Sequence, residues 1–187
     1  MDISHEIASM LDGNKLQKYI DNPVEDDDYR KMGEVLTKLK SNYDDLRFLA
    51  VFLPVGSDEI IYIYDIYTNE ELSKSYISEH PLGYKREFAN ISYEGAMSLY
   101  RANADYRVYD VIKTETGECI AGYSSVFNDE GNMTSIVACG FDMSLVKDSL
   151  VQYLFILGFA LIIPNIIISF VFYKYYACYW GNHFNKD

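Results

Sequence analysis

The sequence is poor in the residues that build most recognisable sites. Its three cysteines, Cys119, Cys139 and Cys178, form no Cys-x-x-Cys, and its three histidines, His5, His80 and His183, stand far apart. That pattern excludes a disulfide framework, and no structural metal site is expected. No phosphate loop, nucleophile elbow, His-Glu-x-x-His or serine–histidine pairing occurs, so the chain is expected to carry no cofactor and to be no enzyme. Basic residues are also few, 16 against 28 acidic in 187 residues. Only Lys174, Lys186 and Asp187 of these lie beyond Asp148, leaving 14 basic and 27 acidic groups and a net charge of −13 on the first 148 residues. Such a segment repels nucleic acid and anionic headgroups, and no basic stripe offsets it.

One long stretch lacks charge altogether. From Ser149 to Tyr173, 25 residues include no Asp, Glu, Lys, Arg or His. That exceeds the roughly 20 residues a helix needs to cross a bilayer. Tyr153 lies near one end, and Tyr173, Tyr175, Tyr176, Tyr179 and Trp180 crowd the other, as an aromatic belt would. Pro164 removes one backbone donor and frees the carbonyl of Ala160, which predicts a kink that Asn165 helps to satisfy. The division is thus 1–148 as one globular domain, 149–173 as a transmembrane helix and 174–187 as a short tail. Lys174 and Lys186 bias the tail toward the cytoplasm and the domain outside. Met1 opens into a polar, amphipathic stretch with no charged-then-apolar leader. A domain of this size does not cross a membrane without one. Either the natural N-terminus precedes this sequence or the domain is cytosolic with a tail anchor; the first is preferred.

Within 1–148 the periodicity changes once from helical to strand. Ile3, Ile7, Met10 and Leu11 share a helical face over 3–11, and a second piece runs from Lys15 to Ile20. The acidic run Glu25-Asp26-Asp27-Asp28 reads as the capped start of a helix to about Asn42, burying Met32, Val35, Leu36, Leu39 and Tyr43. Strands are predicted at 47–55, 59–67, 107–114, 118–127 and 133–142. Turns are expected at Gly56-Ser57-Asp58, Glu115-Thr116-Gly117 and Asn128-Asp129-Glu130-Gly131. The stretch from Thr68 to about Ser92 reads as a long loop with short helical turns, followed by a helix near Tyr93–Arg101. The class is α+β: an antiparallel meander of about five strands, N-terminal helices packed on one face, and one C-terminal transmembrane helix. A turn at 128–131 sets Cys119 opposite or diagonal to Cys139 on one face, where a bridge is conceivable. Tyrosine is abundant, with 18 copies. Its ring and hydroxyl suit small polar ligands as well as strands and interfaces.

Several segments together resemble the extracytoplasmic Cache sensor domain, a PAS-like module of bacterial transmembrane receptors. Ile7-Ala8-Ser9-Met10-Leu11-Asp12-Gly13-Asn14-Lys15 is similar to that family's opening after its first membrane helix. Asp28-Tyr29, Phe48–Leu53, Tyr62-Ile63-Tyr64-Asp65 and Leu82-Gly83 follow in the same order. Ser124-Ser125-Val126-Phe127-Asn128-Asp129-Glu130-Gly131 and Ile136–Ser144 resemble its closing strands before the second membrane helix. The chain departs where Val126 and Phe127 replace a usual Pro-Ile, and neither a first membrane helix nor an output module is present. The resemblance implies a dimeric, membrane-bound sensor of a small metabolite, of amino-acid or carboxylate type, within a histidine kinase, diguanylate cyclase or chemoreceptor. By resemblance and chemistry, Tyr62, Tyr64, Asp65, Arg107, Tyr109, Tyr123, Ser125 and Asp142 are the expected ligand-binding residues. Arg107 would fork onto a carboxylate and Asp65 or Asp142 would receive an ammonium. Strand alternation sets Tyr62 and Tyr64 on one face and Asp65 on the other. The alternative is a tail-anchored cytosolic adaptor presenting an interaction surface.

Overall fold

Helix periodicity in the first 40 residues gives three helices, α1 (Ile3–Met10), α2 (Gly13–Asp21) and α3 (Asp27–Lys40). Each later start is capped by an aspartate. Asp12 accepts from the backbone of Asn14 and Lys15, and Asp26 from Tyr29. This is the role expected of the acidic run, whose carboxylates face the positive end of α3. The computed structural model describes residues 3–56, 59–73, 80–87, 94–114 and 117–184. Ser57-Asp58, Glu115-Thr116 and Tyr93 of the predicted turns and helix lie outside the described residues, as do the side chains of Lys147, Asp148, Cys178, Trp180 and His183. The chain divides into two compact units, Met1–Met143 and Ser144–Asp187.

The first unit is built on an antiparallel sheet of six strands, one more than expected: β1 (Leu46–Val55), β2 (Glu59–Ile66), β3 (Lys85–Glu87), β4 (Val108–Thr114), β5 (Gly117–Phe127) and β6 (Met133–Asp142). The extra strand, β3, lies inside the stretch read as a loop, where a three-residue edge pairing leaves no periodic signal. The same stretch holds the one-turn helix α4 (Asn69–Leu72), and α5 (Glu94–Ala102) follows it. The order β3-β2-β1-β6-β5-β4 is not a simple meander. The first and last long strands pair at the centre, so the chain closes on itself and leaves β3 and β4 as edges.

Two apolar layers cover the sheet. On one face α1, α2 and α3 bury Ile7, Leu16, Tyr19 and Leu36 against Leu49, Val51, Ile63, Tyr64 and Val137. On the other, Ala96 and Leu99 of α5 pack with Phe52, Tyr62, Tyr123 and Ile136. Met10 and Val35, assigned to the buried faces of their helices from periodicity, are instead exposed. Gly95 lets α5 lie close, since a Cβ there would stand 2.7 Å from the Tyr123 ring.

Register decides the cysteines. Cys119 is opposite Asp142, and Cys139 is opposite Gly122. This is three residues from the opposite pairing and one from the diagonal, and any odd shift moves a side chain through the sheet. Cys119 lies in the α5-side layer and Cys139 in the N-terminal-helix layer, both buried. The conceivable bridge between them is therefore ruled out.

The second unit is helical. The helix α6 (Met143–Phe184) begins at the residue after β6 ends. Within it, Ser149–Tyr176 is long and apolar enough to cross a membrane, with mean hydropathy 2.6. The helix continues through Pro164, and Asn165 Nδ2 donates to the Leu161 carbonyl at 2.8 Å rather than to the Ala160 carbonyl that proline frees.

Candidate functional site

The expected site residues separate according to one irregularity in β2. Val51 faces Tyr64, but the next residue, Phe52, faces Tyr62, so Ile63 is an extra residue on β2. The bulge turns Ile63 and Tyr64 both toward the N-terminal helices. It thereby corrects the expected alternation: Tyr62 shares a face with Asp65, and Tyr64 lies on the other.

Tyr64 is part of the helix-side core. Its ring stacks on Tyr29 at 4.5 Å between centroids, its hydroxyl donates to the Tyr29 carbonyl, and Tyr29 in turn donates to the Ile63 carbonyl. Burial pushes the Tyr64 hydroxyl strongly upward in pKa. Tyr19 completes this cluster edge-on to Tyr29, and burial together with its bond to Asp26 raises its pKa to about 12. Tyr109, more than half exposed, lies over Gly122 beside Ser4 of α1. Arg107 is exposed just before β4. Asp142 is engaged at the end of β6 by Arg47, whose Nε donates to it at 2.8 Å and whose Nη2 adds a second bond to the same oxygen. These four are not brought together with Tyr62.

The other four are. Tyr62, Phe52, Ile136 and Ser125 are successive partners across β2, β1, β6 and β5, and Asp65, Ala50, Ala138 and Tyr123 form a second such row. Tyr62 and Asp65 thus face Ser125 and Tyr123 across three strand spacings, roughly 14 Å. Ala50 and Ala138, between Asp65 and Tyr123 in the second row, are buried in the α5-side layer. Ser125 donates to the Ala104 carbonyl at 3.2 Å. The Tyr123 hydroxyl is fully buried with no hydrogen-bond partner among the described residues, and burial raises its pKa.

Residues that the sequence did not single out complete the Asp65 end. His80 Nδ1 stands 2.5 Å from Asp65 Oδ2. The imidazole stacks on Tyr62 at 5.0 Å and lies 4.5 Å from the Tyr84 ring. Backbone bonds from Tyr62 to the Tyr84 carbonyl and from Gly83 to the Tyr62 carbonyl hold this turn against β2. Tyr67 also hydrogen-bonds Asp65, and its own pKa is pushed up, chiefly by burial. Behind them Lys40, almost fully buried, donates to the Ile66 carbonyl and to Glu71, and sits 5.1 Å above the Tyr67 ring. Nothing local in the sequence linked His80 to Asp65, 15 positions away.

Burial raises the pKa of Asp65 despite the opposing effects of His80, Tyr67 and Lys40. A carboxyl raised on folding contributes stability that is complete below the unfolded value and lost as pH rises through the folded one. Asp65→Asn cannot titrate. Its melting temperature relative to the parent is therefore expected to become more favourable as pH rises from 3 to 7. Paired thermal melts across that range check the sign, and a difference that moves the opposite way contradicts it.

Among the described residues no cluster of histidine, cysteine and carboxylate could hold a metal. The arrangement offers hydrogen bonding, an aromatic wall and a carboxyl–imidazole pair sheltered from solvent. No protein-family model matches the chain, and no curated protein matches it.

Proposed function

We propose that the first unit is an extracytoplasmic, Cache-type sensor of a small ligand, belonging to a membrane-bound receptor whose output module lies on other sequence. The observation that carries this reading is the pair of rows on the α5 side. They set the Asp65–His80 pair and its tyrosine wall at one end and, at the other, the Tyr123 hydroxyl, which has no hydrogen-bond partner among the described residues, with the small Ala50 and Ala138 between. Burying a hydroxyl without a partner costs about 1–3 kcal/mol, which a ligand's polar atom would recover. The central pairing of β1 with β6 supports a PAS-like sheet. The direct continuation of β6 into α6 supports transmission, since a ligand that favours one arrangement of the sheet acts on the strand that becomes the membrane helix. The ligand class is a small metabolite with both charged and hydrogen-bonding groups, the unit works as a homodimer, and the tail from Lys174 is cytoplasmic.

The test is a thermal-shift panel of metabolites on the whole chain in lipid nanodiscs. A true ligand at a hundredfold excess over its dissociation constant adds about 2.7 kcal/mol. Tyr123→Phe is expected to leave the unliganded chain as stable or more so, while weakening the response. Tyr64→Phe, on the opposite face, leaves the response intact. Reporters fused at Met1 and Asp187 must place these ends on opposite sides of the membrane; both ends in the cytoplasm would mean a tail-anchored adaptor instead.

A further inference from the structure

We propose that Asn165 joins two copies of this chain inside the membrane, through reciprocal hydrogen bonds between their side-chain amides across a two-fold axis. Asn165 lies within a few residues of the middle of the Ser149–Tyr176 span. At about 1.5 Å per residue, this puts its amide within roughly 5 Å of the hydrocarbon centre, where no water satisfies it. One amide hydrogen is used on the Leu161 carbonyl. The second hydrogen and the Oδ1 acceptor have no partner among the described residues. A carboxamide is its own complement, so the same group on a second copy supplies both the missing donor and the missing acceptor.

The surroundings favour a second helix of the same kind. Gly158, Asn165 and Phe172 recur every seven residues, with Leu161 and Ile168 at the intermediate positions. That is the seam of a left-handed helix pair, and a single asparagine in such a seam fixes register and pairing. Gly158 presents open space one heptad from Asn165, which allows close approach. Leu161, Ile162, Asn165, Ile166, Ser169 and Phe170 line a shallow groove on the helix surface. The inference requires the membrane span but is independent of ligand sensing by the first unit.

The experiment uses the whole chain in lipid vesicles with Cys178→Ser, the other two cysteines being buried. Ser169→Cys reports the Asn165 side of the helix, about 40° away, and Ile163→Cys the opposite side, about 160° away. Oxidation is expected to yield a cross-linked dimer from Ser169→Cys and not from Ile163→Cys. Adding Asn165→Leu is expected to weaken dimerisation about tenfold, and Asn165→Gln to preserve it. Equal cross-linking from both positions, or a dimer indifferent to Asn165→Leu, overturns the proposal. Extraction by alkaline carbonate, which would show that the helix is not inserted, overturns it as well.

Discussion

Gly13→Ala is expected to destabilise the first unit by about 3 kcal/mol, a loss near 10 °C in melting temperature. Gly13 opens α2, and a Cβ there would fall on the backbone carbonyl of Phe127, at the end of β5. Backbone at the end of a paired strand cannot step aside as a flexible side chain would. Asn14 reinforces the contact. Its Nδ2 donates to Asp129 at 2.8 Å, and its Oδ1 accepts from the Asp129 backbone. The Asp12-Gly13-Asn14 segment, noticed in the sequence as part of a family-like opening, is thus a clasp holding α2 to the β5–β6 turn. Gly33→Ala provides the contrast. It lies within α3, and a Cβ added there would meet nothing nearer than a Tyr64 ring atom at 3.8 Å. Alanine there is expected to stabilise by about 0.5–1 kcal/mol. Chemical denaturation of both variants decides the matter, and similar midpoints for the two would contradict the close approach at Gly13.

Glu71→Ala is expected to cost about 3 kcal/mol or more, because it strands the Lys40 ammonium in the interior. Lys40 reaches Glu71 at 2.7 Å from a site almost closed to solvent. Glu71 also accepts from the Thr68 backbone and so closes the cap of α4. Burial lowers the pKa of Lys40 in spite of this partner. A lysine depressed on folding contributes stability that is present above its unfolded value and lost as pH falls through the folded one. At neutral pH the buried ammonium is therefore a net burden. The double variant Lys40→Met, Glu71→Gln is expected to match or exceed the parent at pH 7, with its advantage shrinking toward pH 10.5. A double variant as unstable as Glu71→Ala at pH 7 would show that the ion pair itself holds the site together.

Much of the fold was legible because strands and helices leave periodic traces. The five long strands and the first three helices fall within two or three residues of their expected bounds. What could not be read was the phase between elements. The bulge at Ile63 is a single extra residue in an otherwise regular strand, yet it reverses the faces of Tyr64 and Asp65 relative to Tyr62. The odd shift in the β5–β6 register, likewise silent in composition, separates Cys119 from Cys139. For the expected site residues, what the sequence could not supply was their sharing of a face. Tyr62, Asp65, Tyr123 and Ser125 gather on one face, whereas Tyr64, Tyr109, Arg107 and Asp142 serve other parts of the sheet. His80, Tyr67 and Lys40 come from a turn, a strand end and a helix, and only tertiary packing sets them around one carboxylate.

Two thiols in different layers of one sheet give the domain a pair of internal clocks. A thiol reagent reaches Cys139 only when the N-terminal helices lift, and Cys119 only when the α5 side opens. With Cys178 replaced, the two labelling rates report separately how often each side of the sheet breathes. A ligand held on one side would slow one clock and leave the other running at its own pace.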